Sequence, residues 1–444
     1  MGIRRGVRRA ALCAVLSAAA AIPARALPPV PVPAESPVSE PKRVLGKALF
    51  WDEQLSSDDT VACGTCHLPE RAGADPRPAV HPGESAGTGD DVRGSFGVVR
   101  RDASGAAIED PVFGFGRQVT PRAAPGFFGG LWGSASFWDG RAGGEFRDPL
   151  TGEVRIASGG SLESQALAPI LSPVEMAREG RTWADVTGKL AGVAPLALAS
   201  DLPADLDAAL SGGAGYPELF QAAFGDPAIT PVRIAFALAT YERTLVPDQT
   251  PWDAFVAGDA AALSASQQQG WAFFQSSACA SCHVPPIFTN AGFTNIGVRP
   301  IEEDAGRMDV TGDPADAGLF KTPTLRNAGL KPTFMHQGGL DSPAAAVGFY
   351  LPTELHFQPN LDPRIPVDIP PAERAPLVDF IANGLTDPRV AARSFPFDRP
   401  TLASERPPAI PALPVAWLGW LAAGLLAAGW GAARRRRGPA DPGS

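Results

Sequence analysis

Cys63-Gly64-Thr65-Cys66-His67 and Cys279-Ala280-Ser281-Cys282-His283 read the same way, and this repeated stretch decides the fold. Each is Cys-x-x-Cys-His, the attachment pattern of c-type haem. Two thiols at that spacing form thioethers with the two vinyl groups of one porphyrin. The adjacent histidine then lies beneath the ring as proximal ligand of the iron. A Cys-x-x-Cys pair also reads as a redox dithiol or half a zinc site. Spacing alone leaves open a zinc site shared by both pairs. Both copies here are followed by histidine, and the chain has only five cysteines. The fifth, Cys13, falls in a segment that export would remove. The expectation is two covalently bound haem c, attached through Cys63, Cys66, Cys279 and Cys282, with His67 and His283 on the irons.

The two ends of the 444-residue chain point to export. Arg4, Arg5, Arg8 and Arg9, an apolar run over 10–22 and a small-x-small site at 24–26 predict a signal peptide over 1–26. Haem c is attached outside the cytoplasm, so the periplasmic side of a Gram-negative envelope is the expected location. Residues 415–433 carry no charge and are followed by Arg434 to Arg437. They predict a transmembrane segment with a basic stop over 415–437, or a sorting tail cut after export. The formal charge is −9, and removing both ends takes away nine arginines and one aspartate. An acidic exported chain is a poor match for nucleic acid and attracts a basic redox partner.

Between the ends, residues 27–41 are a proline-rich linker, extended by composition. Residues 40–50 have helical spacing of Val44, Leu45, Ala48 and Leu49. Residues 70–120, rich in Gly, Asp and Arg, read as loop. Helices are predicted over 217–224 and 230–245, the second burying Ile234, Ala235, Leu238, Ala239 and Tyr241. Ser264-x-x-Gln267 is a capping box opening another helix. Gly270-x-x-Phe273-Phe274 echoes Gly46-x-x-Leu49-Phe50, a weak internal repeat. Short helices are predicted over 342–350 and 375–383, the latter with Pro376 in its first turn and Gly384 past its end. The fold class is mainly α: two cytochrome c-like haem domains with long loops, 42–247 and 248–394, then a linker over 395–414.

The span from about Val44 to Asp387 resembles the bacterial di-haem cytochrome c peroxidase family, which includes the MauG-type enzymes. The motifs that carry the resemblance are 55–67, Phe137-Trp138-Asp139-Gly140-Arg141, 165–176, 320–327 and 334–338. The resemblance implies that the N-terminal haem meets hydrogen peroxide and the C-terminal haem feeds it electrons. It places Trp138 between the haems, and Glu175 with Gln165 as acid/base groups over the open iron. Other members carry a histidine on the first iron, within Gly-His-Gly. Here that stretch is Gly114-Phe115-Gly116, so the first iron is expected to be open, with His81 the spare histidine nearby. On the second iron the matching position is Tyr350, as in MauG-type members, and Met335 competes with it. His356 has no match and reads as a surface residue. The family binds calcium partly through an asparagine, but Ala123 stands there. Three functions follow. The first is a peroxidase drawing on a small cytochrome c or cupredoxin. The second is a MauG-type oxidase of a partner protein acting through a high-valent di-haem state. The third is a membrane-tethered electron carrier without peroxide chemistry.

Overall fold

A computed structural model describes residues 27–77, 79–83 and 89–406. The signal peptide, Cys13 and the membrane or sorting segment lie outside the described residues. Among the described residues, no helix is long and apolar enough to cross a membrane. Among the described residues the chain is mainly helical, with four two-stranded antiparallel ribbons.

The first half contains α1 (Glu40–Trp51), α2 (Cys63–Cys66), α3 (Ser161–Leu167), α4 (Trp183–Gly192), α5 (Ala204–Leu210), α6 (Tyr216–Phe224) and α7 (Pro231–Thr244). The second contains α8 (Pro251–Val256), α9 (Ala265–Ser276), α10 (Cys279–Cys282), α11 (Met308–Thr311), α12 (Pro343–Phe349), α13 (Pro371–Asp379) and α14 (Pro388–Ala391). The ribbons pair β1 (Ala79–His81) with β2 (Val92–Gly94) and β3 (Phe96–Val99) with β4 (Arg117–Val119). They also pair β5 (Phe146–Arg147) with β6 (Val154–Ile156) and β7 (Phe293–Thr294) with β8 (Phe320–Lys321). Residues 70–120, expected as loop, therefore hold two hairpins.

Local chemistry explains the long helices. In α7, Thr230 caps the N-terminus by accepting from the Arg233 amide, and Pro231 supplies the preset φ of the first turn. The five residues expected on its buried face are all fully buried. The capping box of α9 is present: Ser264 and Gln267 exchange side-chain and backbone hydrogen bonds. The prediction for α13 needs correction, because the helix starts at Pro371 and Pro376 lies inside it. Pro376 has no N–H to give to the Ala372 carbonyl. The Gln269 side chain donates to that carbonyl instead, at 3.4 Å. A wider helical turn over Phe380–Gly384 follows.

The echo between the two glycines has a physical basis. A Cβ on Gly46 would sit 1.9 Å from the Ala237 carbonyl oxygen, and one on Gly270 would sit 2.0 Å from that of Pro376. Each glycine thus lets its helix, α1 or α9, touch the backbone of a later helix, α7 or α13. Two of the apolar cores among the described residues are built at these crossings. One is built on α1, α6 and α7, including Leu49, Phe220 and Leu238. The other is an aromatic cluster of Trp252, Phe274, Phe288 and Phe380.

Neither proline-rich stretch is free as far as it is described. Trp132 donates to the Pro28 carbonyl and Arg243 to that of Pro31. Phe397 and Leu402 insert into the first core, and Arg399 pairs with Glu70. The linker expected over 395–414 is therefore packed structure through residue 403.

Candidate functional site

The first Cys-x-x-Cys-His is seated by tryptophan. A Cβ on Gly64 would lie 2.2 Å from the Trp51 ring, so only glycine lets α2 settle there. Trp51 is held in turn by the Tyr241 hydroxyl, to which its Nε1 donates at 3.0 Å. After α2, Ala72 and Gly73 take left-handed backbone, and the chain turns back. The turn aims the Gly73 carbonyl at His67 Nδ1, 2.9 Å away. With Nδ1–H donating to that carbonyl, Nε2 is the nitrogen left for a metal. Burial keeps the imidazole neutral, as a ligand must be.

The second motif repeats the arrangement. His283 Nδ1 lies 3.0 Å from the Pro323 carbonyl, and burial lowers its pKa to about 4. Arg326 braces this region by donating to the Pro286 and Pro247 carbonyls and pairing with Asp253. Cys279, Cys282 and His283 line a deep, mostly apolar cavity. Tyr350 and Met335 line the same cavity. Burial, reinforced by the Cys279 and Cys282 thiols, raises the Tyr350 phenol well above its ordinary pKa. Tyr350 and Met335, the two competing ligands, thus share the second cavity. His356 is not a plain surface residue: its Nε2 lies 3.0 Å from the Phe349 carbonyl, and its ring meets the Phe349 ring.

These residues fit two haem groups. The four described cysteines form no disulfide. Each histidine presents one nitrogen with the other occupied. Lys321 and Lys331 line the second cavity, and burial lowers both pKa values to about 8. They are suited to hold a porphyrin's carboxylates.

Glu175 lies near the first motif. Its charge is felt at both the Cys63 and Cys66 thiols, which burial pushes up, Cys66 to about 12. Burial also raises the Glu175 pKa, against the Ser172 hydroxyl and the Arg141 guanidinium. Arg141 lies 3.6 Å from the centre of the Phe137 ring and pairs with Asp139. Gln165 is half-buried on α3, and its side chain makes no hydrogen bond among the described residues. Glu175 thus lies within electrostatic reach of the first motif, and Gln165 makes no bond to either among the described residues. Phe115 is 66 % exposed on a turn, and the His81 ring rests against Phe113.

Trp138 lies where the two halves meet. It lines the second cavity together with Ala72 and Gly126 from the first half. Its Nε1 donates to the Ala123 carbonyl at 2.8 Å, and the Lys321 amide donates to its own carbonyl. The Ala123 amide donates to the His336 carbonyl, and the His336 ring stacks on Phe320 at 3.6 Å. Beside them Arg122 bridges Asp139 and Asp304. The sequence reading missed this bridge, although Asp139 and Arg141 stood in the quoted Phe-Trp-Asp-Gly-Arg run.

The calcium that the resemblance implies would be held largely by backbone oxygens, because Ala123 stands where the family has its asparagine. Among the described residues, no group of three or more His, Cys, Asp or Glu side chains is placed to hold a metal ion. Asp139 and Asp304 are already neutralised by the Arg122 guanidinium. Prolonged treatment of the holoprotein with EGTA tests for such a site. A loss of melting temperature or peroxide turnover, restored by added calcium, would reveal it.

The family model described as di-haem cytochrome c peroxidase matches residues 40–261. Methylamine utilization protein MauG of Methylorubrum extorquens is 30% identical over 364 residues, covering 81% of this chain and 82% of that protein. Cytochrome c551 peroxidase of Nitrosomonas europaea is also 30% identical, covering 72% and 76%. A crystal structure of a MauG-like protein associated with microbial copper homeostasis superposes with a TM-score of 0.57. It is 24% identical and covers 84% of this chain and 96% of its own, a likeness of fold.

Proposed function

The chain belongs to the di-haem cytochrome c peroxidase family, and from that premise we propose that it reduces hydrogen peroxide with electrons from a small exported cytochrome c or cupredoxin. As a member it is an oxidoreductase with two c-type haems. When bound, those groups supply the iron that meets peroxide and the path by which electrons arrive. Export, and tethering through residues 415–433, are part of the proposal and rest on the sequence alone.

The observation that carries the reading is a half-buried carboxyl group near the first motif whose pKa burial raises. Peroxide must lose a proton from its inner oxygen to bind, and its outer oxygen must gain one to leave as water. One positioned group that accepts and returns the proton serves both needs. Glu175 has that placement, and burial tunes it toward holding a proton. Arg141 supplies a positive charge that keeps the ionised form accessible. Trp138, fixed at both its indole nitrogen and its backbone, offers a π-system along the junction between the two centres. Gln165, on α3, is the second polar group that this reading assigns to the peroxide side. In balance, one peroxide, two electrons and two protons give two waters.

The test is consumption of peroxide by the purified holoprotein in the presence of a reduced small cytochrome. Two donor molecules should be oxidised per peroxide. Peroxide loss with no donor oxidation would reject the reading.

A second reading, MauG-type oxidation of a partner protein, is favoured by Tyr350 in the second cavity. Its premise can be checked directly. Tyr350→Phe is expected to alter the absorption spectrum of the oxidised protein, and Met335→Leu to leave it unchanged. The reverse pattern would assign the second iron to methionine.

A further inference from the structure

The loop that carries Glu175 is clamped from several sides. Gln118, on β4 and only 5 % exposed, donates from Nε2 to the Pro173 carbonyl at 2.7 Å and to the Val98 carbonyl at 3.4 Å. Gly97, on β3, leaves no gap: a Cβ there would fall 1.7 Å from the Val174 carbonyl oxygen and 3.0 Å from the Glu175 Cα. Further along, the Glu179 amide donates to the Arg101 carbonyl at 2.9 Å, and Arg100 pairs with Glu179. On the other side, the Ser57 amide donates to the Met176 carbonyl at 2.8 Å. The buried Arg181 guanidinium donates to the carbonyls of Ile170 and Met176.

These contacts differ in what they can control. Ser57 and Arg181 hold Met176, the residue that follows Glu175, and Arg181 also holds Ile170. The β3–β4 ribbon alone grips both residues that precede Glu175 directly, Pro173 by a hydrogen bond and Val174 by backbone packing. Gln118 is the side chain that makes this grip. Its amide donates to both the Val98 and the Pro173 carbonyl, tying β3 and the Glu175 loop to β4. An acid/base group works only within hydrogen-bond reach of the proton it moves, so a displacement of about 1 Å can cost up to ~10²-fold in rate.

From this geometry we infer that Gln118 is a positioning residue for the peroxide reaction. It fixes the Pro173-Val174-Glu175 backbone, and thereby the Glu175 carboxyl, without touching the substrate itself. The inference rests on the acid/base reading of Glu175 and adds to it. It makes the ribbon over 96–119 part of the reaction machinery rather than a surface decoration.

The test is a double-mutant cycle on the holoprotein. The initial reaction with peroxide is timed by stopped flow in the parent, Gln118→Met, Glu175→Gln and the double variant. Melting temperature and the rate of reduction by the donor are recorded alongside. Gln118→Met is expected to slow the peroxide step about tenfold or more. Donor reduction should be unchanged, and the substitution should have almost no further effect once Glu175 is replaced. An equal loss in both backgrounds, or slowed donor reduction, would mark Gln118 as merely structural and overturn the inference. So would an unchanged rate in Gln118→Met. If Glu175→Gln itself reacts at the parental rate, the acid/base reading fails first, and that result is separable from a failure confined to Gln118. Should Gln118→Met not fold, Gln118→Asn serves. It keeps a buried amide but is one methylene too short to hold both carbonyls, and the same outcomes apply.

Discussion

Glu175→Gln is expected to lower peroxide turnover by roughly 10²–10⁴-fold while leaving the absorption spectrum of the resting protein intact. The replacement keeps the shape and a hydrogen-bonding end. It removes the capacity to accept a proton at one oxygen and return it to the other. The size of the loss follows from the usual worth of a positioned acid/base group. A second signature is the pH profile. In the parent the carboxyl must be ionised to accept the first proton, so the rate falls as pH drops through its pKa. Burial raises that pKa above the ordinary carboxyl value of 4.5, more than Ser172 and Arg141 lower it. The falling limb should therefore begin at a higher pH than an exposed glutamate would give. In Glu175→Gln the limb should vanish along with most of the rate. Turnover within about twofold of the parent, or a variant that keeps the limb, would remove Glu175 from the reaction.

What the sequence made legible was local in origin. The haem motifs, the cap of α9 and the apolar face of α7 each depend on residues within a turn or two of one another. Pattern alone suffices for them. The echo between Gly46 and Gly270 was visible for the same reason, though its cause is a long-range contact with Ala237 and Pro376. The hairpins within 79–119 were not legible. Their strands are three or four residues long and too short to show alternation. The start of α13 was misplaced because Pro376 reads as a first-turn proline. The side chain that caps the carbonyl freed by this proline, Gln269, is 103 residues from Ala372. The Gln118 bond to Pro173 joins residues 55 apart and leaves no trace in either neighbourhood. The tail past 394 looked like linker because its prolines outweigh two buried side chains, Phe397 and Leu402. The choice between Tyr350 and Met335 stayed open because both reach the same cavity.

The paired glycines give the largest expected effect on stability. Gly46→Ala and Gly270→Ala are each predicted to destabilise the holoprotein by about 2–4 kcal/mol, seen as lower melting temperatures. Two effects of opposite sign compete. Alanine in a helix interior is favoured over glycine by about 1 kcal/mol. Against that, the new methyl would lie 1.9 Å from the Ala237 carbonyl oxygen and 2.9 Å from the Tyr241 Cβ at the first site. At the second it would lie 2.0 Å from the Pro376 carbonyl oxygen and 2.8 Å from the Phe380 Cβ. Carbon and oxygen rest at ~3.3–3.6 Å, so the helices must part by more than 1 Å. The obstacle is backbone, which no rotamer change can move aside. Overpacking of a core costs about 1–3 kcal/mol and more when the backbone must shift, so the clash outweighs the propensity gain. The two variants should also differ. Gly46→Ala opens α1 from α7 and loosens Trp51 beneath the first motif, so it should disturb the first haem. Gly270→Ala opens α9 from α13 and disturbs Phe274 and Phe380 in the second core, so it should disturb the second. Melting temperatures that rise, as propensity alone would have it, would mean that neither helix pair crosses at its glycine.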